Sequence, residues 1–184
     1  MFTKMAGIGL IIFALTLWSV KLTLAASLNI LPNSNTLAVH EEFTVDVKLD
    51  SSGQTINAAQ ATITFPKDII EVTNVQKDSS IFSFWLQEPI FSNNDGTVKF
   101  IGGAQGGSSG GSLQILRINF KTKNIGTAPL SFEDAAVTAA DGSGTNVLTS
   151  INGGIFIVNR GKAWNELVFG GMAKFFLQII AIDF

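Results

Sequence analysis

The feature that most constrains this chain is the stretch Phe43-Thr-Val-Asp-Val-Lys-Leu-Asp50, which alternates strictly between apolar residues at odd positions and polar ones at even positions. Side chains on an extended strand point alternately to its two faces, so a period of two predicts a strand with one face buried and one in water. The pattern recurs. Ala59, Ala61, Ile63 and Phe65 form one face of the next segment, with Gln60, Thr62 and Thr64 on the other. Further apolar or alternating runs cover 69–75, 81–86, 97–101, 115–123, 129–133 and 154–158. Residues suited to turns separate them, at Ser51-Ser-Gly53, Asn93-Asn-Asp-Gly96, Asn124-Ile-Gly126 and Asp141-Gly-Ser-Gly144. No helical periodicity of useful length lies between Ser27 and Val158, which excludes parallel βαβ nucleotide-binding folds. The expectation is an all-β, antiparallel sandwich of about nine strands.

The two ends differ from this body. Met5 to Val20 is an uncharged apolar run between Lys4 and Lys21, followed by Thr23-Leu24-Ala25-Ala26. As a helix it would reach ~24 Å, short of the roughly 30 Å hydrocarbon core of a bilayer. A charged start, an apolar middle and small residues at the end fit a secretory signal peptide over 1–25, cleaved after Ala25. An uncleaved anchor is the alternative. Either way the remainder is expected outside the cell. At the other end, residues 159–184 read as a linker and a short amphipathic tail. Trp164, Val168, Met172, Phe175, Ile179 and Ile182 recur there at helical spacing. Glu166, Lys174 and Asp183 interrupt the tail, so it is too short to span a bilayer. It could dock on a partner or an interface, cover the sandwich, or be the stub of a longer chain. Any membrane contact is expected only through these two segments.

Composition narrows the function. Cysteine is absent, which excludes a disulfide framework, thiol catalysis and thiolate zinc sites, and His40 is the only histidine. Acids outnumber bases 14 to 12, so there is no basic footprint for nucleic acid. Glycoside hydrolysis wants two facing carboxyls about 5–10 Å apart. Asp46 and Asp50, four apart on one strand face, are roughly 13 Å apart. Glu133 and Asp134 are neighbours that should point to opposite faces, and Glu41-Glu42 beside His40 read as a solvated strand start. No serine sits in a nucleophile-elbow pattern. The chain is therefore expected not to be an enzyme.

Two small features invite other chemistry. Gly102-Gly-Ala-Gln-Gly-Gly-Ser-Ser-Gly-Gly111 lacks the Lys-Ser/Thr and the helix of a phosphate-binding loop and is expected to be a flexible hairpin loop. Asp141-Gly-Ser-Gly-Thr-Asn146 offers oxygen donors suited to Ca²⁺, with Asp141 and Asn146 as the candidate ligands, but lacks the acids of an EF-hand. A plain glycine turn accounts for it as well, and no other cofactor is expected. In Ile81-Phe-Ser-Phe-Trp-Leu-Gln-Glu88 the alternation sets Phe82, Phe84 and Leu86 on one face, with Ser83, Trp85 and Gln87 on the other. The mixed face is the expected outside, which would make Trp85 and Gln87 candidate contacts for a sugar ring; an aromatic at the edge of the core is the competing reading.

Several runs remain to be read together: Thr64-Phe-Pro-Lys-Asp-Ile-Ile-Glu-Val72, Asp95-Gly-Thr-Val-Lys-Phe100, Gly111-Ser-Leu-Gln-Ile-Leu-Arg-Ile-Asn-Phe-Lys121 and Gly126-Thr-Ala-Pro-Leu-Ser-Phe132, followed by Ala140-Asp-Gly142 and Asn152-Gly-Gly-Ile-Phe-Ile157. In this order and spacing they resemble the cohesin family over residues 27–158. The resemblance implies a jelly-roll sandwich related in fold to cellulose-binding modules. It implies a non-catalytic, secreted or cell-surface module of polysaccharide-degrading or adhesive assemblies, with a dockerin-like protein as partner. Cohesins of cellulosome scaffolds commonly show Asn and Asp to the dockerin on the strand before the aromatic turn. Ala58 and Gln60 stand there in this sequence, leaving Gln60, Thr62 and Thr64 as a neutral strip. Direct recognition of polysaccharide and a purely structural spacer are the alternatives.

Overall fold

A computed structural model describes residues 25–160, so the leader over 1–24 and the tail after Arg160 lie outside the described residues. The described chain is all β. Its eleven strands are β1 (Ala26–Leu31), β2 (Ser34–Ala38), β3 (Glu42–Asp50), β4 (Ile56–Thr64), β5 (Ile70–Gln76), β6 (Phe84–Ser92), β7 (Thr97–Ser108), β8 (Leu113–Thr122), β9 (Gly126–Ala139), β10 (Leu148–Asn152) and β11 (Gly154–Asn159). They form a five-stranded sheet in the order β10-β1-β3-β8-β5 and a six-stranded sheet in the order β2-β11-β9-β4-β7-β6.

The sandwich is thus as expected, but the count is eleven rather than nine and both sheets are mixed. β1 pairs with β10, and β11 with β2, in parallel. The N-terminal segment leaves the first sheet at Pro32-Asn33 and enters the second; the C-terminal segment does the same at Gly153. The two crossings run side by side in one direction, so their backbones must approach closely. Ile155 N donates to the Asn33 carbonyl at 2.8 Å. A Cβ on Gly153 would lie 2.2 Å from the Leu130 carbonyl oxygen, so only glycine fits the crossing.

The period-two pattern of β3 buries Val45, Val47 and Leu49, and that of β4 buries Ala59, Ala61 and Ile63. Phe100, Phe120 and Phe156 are the largest fully buried side chains. Phe43 joins the sheets, its ring centroid 5.3 Å from Phe120 and 4.9 Å from Phe156. Each such ring contributes about 1.5–3 kcal/mol of burial, which gives a cysteine-free domain a large core to rest on.

The glycine run is a second correction. β7 continues to Ser108, so Gly102 to Gly107 are strand, and only 109–112 form the turn to β8. Aromatic side chains supply the surface that the glycines lack. Phe82 and Trp85 lie over Gly102 on the inner side, and Phe84 lies over Gly103 on the outer side.

A candidate partner-binding face

β4 lies inside the six-stranded sheet, between β9 and β7. With Ala59, Ala61 and Ile63 buried, Gln60, Thr62 and Thr64 face outward, as the alternation predicts. Their partners across β9 are Ala136, Glu133 and Ser131; across β7 they are Ile101, Lys99 and Thr97. β9 carries an extra residue opposite Ala61, a bulge in which Asp134 adopts a left-handed φ of 49°. The bulge turns the Asp134 carbonyl toward β4, where it accepts a hydrogen bond from Gln60 Nε2 at 3.3 Å. Glu133 and Asp134 are consequently both exposed in mid-strand.

Gln60, Thr62, Gln87, Lys99, Ile101 and Asp134 line a shallow hollow on this face. Its volume of about 80 Å³ admits the tip of one protruding side chain. Pockets for small molecules run to about 300–1,000 Å³. Of the residues singled out from sequence, Gln60, Thr62 and Gln87 thus come together. Thr64 stands further along β4, its hydroxyl donating to the Ser131 carbonyl at 3.5 Å.

Trp85 is placed differently. The expected faces of β6 are exchanged: Trp85 is half-buried on the inner side, in edge-to-face contact with Phe82 at 5.5 Å and Phe100 at 6.4 Å. The Lys77 ammonium sits 5.8 Å from its ring centroid and pairs with Glu88. Phe84 and Leu86 face water instead, 48% and 72% exposed, with Ile90 at 55%. Gln87 lies on the outer side because a bulge between Trp85 and Gln87 resets the alternation. β6 is an edge strand, yet its two bulges and Pro89 spoil the regular ladder that another strand would need. What it presents is side chains. Sequence reasoning missed Phe84, Leu86, Ile90, Lys99 and Asp134. The adjacent glycines 102 and 103 were the usable signal, since a bare strand position calls for a neighbouring aromatic to cover it.

The outer face of the five-stranded sheet is differently built. Arg117 donates to both Asp46 carboxylate oxygens, at 2.8 and 3.2 Å, and Thr44 Oγ1 donates to Asn119 Oδ1 at 3.0 Å. The hydrogen bonds from Arg117 hold the Asp46 carboxyl below its ordinary value. These four polar groups already have partners.

The candidate calcium ligands are engaged locally. Asp141 Oδ1 accepts from Ser143 N at 2.8 Å, and its other oxygen from the Thr145 hydroxyl, which lowers its pKa. Asn146 Oδ1 instead accepts from Val137 N at 3.2 Å and Leu148 N at 3.1 Å. Each side chain knits its own stretch of backbone. Among the described residues no three acidic or histidine side chains cluster as a metal site would require.

The Cohesin domain family matches residues 29–157. A search of curated proteins found no match. Among solved structures, a type I cohesin of Pseudobacteroides cellulosolvens is similar at 15% identity and a TM-score of 0.61, over 74% of this chain and 94% of its own. A complex described as a type I cohesin–dockerin complex from Clostridium thermocellum matches at 10% identity and 0.61, over 73% and 94%. A non-cellulosomal cohesin of the archaeon Archaeoglobus fulgidus matches at 15% and 0.59, over 77% and 96%. At such identities the likeness to these structures is one of fold.

Proposed function

The chain belongs to the cohesin family, and we propose from that premise that it is a non-catalytic attachment module whose six-stranded sheet receives a dockerin-like protein on its outer face. The observation that carries this is the composition of that face. A hydrogen-bonding hollow of Gln60, Thr62 and Gln87, with Lys99 and Asp134 as its charges, is bordered by exposed Phe84, Leu86 and Ile90. An apolar border around a polar centre is suited to a protein partner that gives up water to both. Relatives at the level of fold include cohesins in complex with dockerins, which agrees with this reading. The signal-peptide pattern of residues 1–25 supports a secreted or cell-surface setting.

Polysaccharide recognition has less behind it. A sugar ring stacks on an open aromatic face, and both aromatic neighbours of Trp85 are core rings. A panel of dockerin modules titrated against the protein tests the reading, with insoluble cellulose and chitin alongside. Thr62→Arg should weaken any dockerin binding at least about 100-fold, the loss expected when a central contact of an interface is spoiled. Thr44→Arg, on the other sheet, should leave it unchanged. Equal effects of the two substitutions, or binding to polysaccharide alone, would overturn the assignment.

A further inference from the structure

The six strands of the larger sheet carry a single basic residue, Lys99 of β7. It is exposed on the outer side, while its strand neighbours Val98 and Phe100 are buried. The register places it in a row across the middle of the face, Glu133–Thr62–Lys99–Ile90. Lys99 lines the hollow of Gln60, Thr62 and Gln87, and also a second one of about 150 Å³ formed with Ile90, Ser92, Asp95 and Thr97.

Among the described residues the ion pairs are Lys77 with Glu88, Arg117 with Asp46 and Lys123 with Glu71, and Lys99 is in none of them. Asp95 accepts a hydrogen bond from the Ser92 hydroxyl at 2.7 Å. Glu133 stands two strands away, roughly 10 Å at the usual spacing. Water alone solvates an exposed ammonium well. A protein seated on the hollow changes that, because Lys99 lies within the covered area. Ile90 stands between it and the sheet edge, and β4 and β9 lie on its other side, so no short path leads its charge back to solvent. A charge covered without a counter-charge carries a heavy desolvation cost. We propose that the partner sets an aspartate or glutamate on Lys99, so that this one cation selects which modules the sheet accepts. The inference rests on the reading of this face as the partner site and adds the chemistry that must meet its centre. A module that brings a lysine or arginine to the same point is turned away by like charge.

Titration of dockerin modules against the full chain and its Lys99 variants tests this. For a module that binds, Lys99→Met should weaken binding at least about tenfold and Lys99→Glu further, while Lys99→Arg keeps most of it. Lys48→Met removes an equal charge from the other sheet and should leave affinity within about twofold, which separates a contact from long-range attraction. Replacing the module's surface acids one at a time by their amides should find one whose effect vanishes in the Lys99→Met background. Equal losses from Lys48→Met and Lys99→Met, or the lack of any such acid, would overturn the proposal and leave the attachment reading standing. If no dockerin module binds the unsubstituted protein, the attachment reading itself fails, and this inference with it.

Discussion

The two outer faces of this sandwich use the same alternation and arrive at opposite states. On the five-stranded sheet, cross-strand neighbours satisfy one another: Asp46 with Arg117, Thr44 with Asn119, and Asn152 with Asn29 at 2.8 Å. On the six-stranded sheet, bulges in β6 and β9 break the cross-strand matching, and six of its large apolar side chains, among them Phe84, Leu86 and Ile157, are left in water. A partner docking on the first face would have to strip a charge pair and reproduce its hydrogen bonds, whereas on the second it displaces water from apolar surface. Both sheets carry bulges, and the five-stranded one also exposes Leu31 and Ile151; the faces differ because hydrogen-bonded polar pairs occupy the middle of one while six apolar side chains stand out from the other.

The strongest way to break the comparison is to disturb what holds the apolar face from behind. Gly102 and Gly103 are adjacent, yet an added Cβ meets different things. On Gly102 it would sit 2.4 Å from the Phe82 ring and 2.8 Å from Trp85, both packed inward. On Gly103 it would sit 2.3 Å from the outer end of Phe84, a half-exposed ring that can swing into water. Gly102→Ala should therefore cost about 1–3 kcal/mol in urea unfolding, the range for overpacking a core. Gly103→Ala should cost less than about 1 kcal/mol, the ring giving way rather than the sheet. Equal losses would mean that Phe84 is fixed and belongs to the core.

A smaller effect sharpens the other face. Arg117→Gln removes the partner of Asp46 from a pair that is partly exposed, so the loss at neutral pH should be small, smaller than that of Gly102→Ala. The sign with pH follows from the lowered Asp46 pKa. A carboxyl whose pKa is depressed by folding stabilises the protein above its unfolded value, and that contribution fades as pH falls through the folded one. The gap between wild type and Arg117→Gln should thus hold from neutral pH down to about 4 and close below it. A gap that widens in acid would show that Arg117 acts through something other than Asp46.

How much of this could be read from sequence depended on the regularity of each strand. β3 and β4 were legible residue by residue, because unbroken alternation leaves one way to bury Val45, Val47 and Leu49 or Ala59, Ala61 and Ile63. β6 was read inside out. Its aromatics are set by two bulges and by the glycines of β7, features of the neighbouring strand that periodicity within β6 does not contain. β1, β2 and β10 were missed: β2 and β10 because exposed, polar edge strands bury little and leave no pattern, and β1, although it buries Ala26, Leu28 and Ile30, because six residues directly after the apolar leader are too few to show a period of their own. Their parallel pairing joins the two ends of the chain, which no local signal records. For the same reason Gln60, Thr62 and Gln87 were found, while Lys99 and Asp134 emerged only with the register.

The smallest effect is the most telling. Leu86 is the most exposed of the large apolar side chains, at 72%, so folding removes little of it from water. Burial contributes about 25 cal/mol per Å², and a side chain that stays in solvent collects almost none of it. Leu86→Ser should therefore change stability by less than about 0.5 kcal/mol, the usual range for surface positions. The prediction separates two pictures of the six-stranded sheet. If the β6 end is open and awaits a partner, the substitution is silent in the isolated protein and weakens only complex formation. If part of the chain outside 25–160 already covers that end, the serine removes a buried contact, and a loss of more than about 1 kcal/mol is expected.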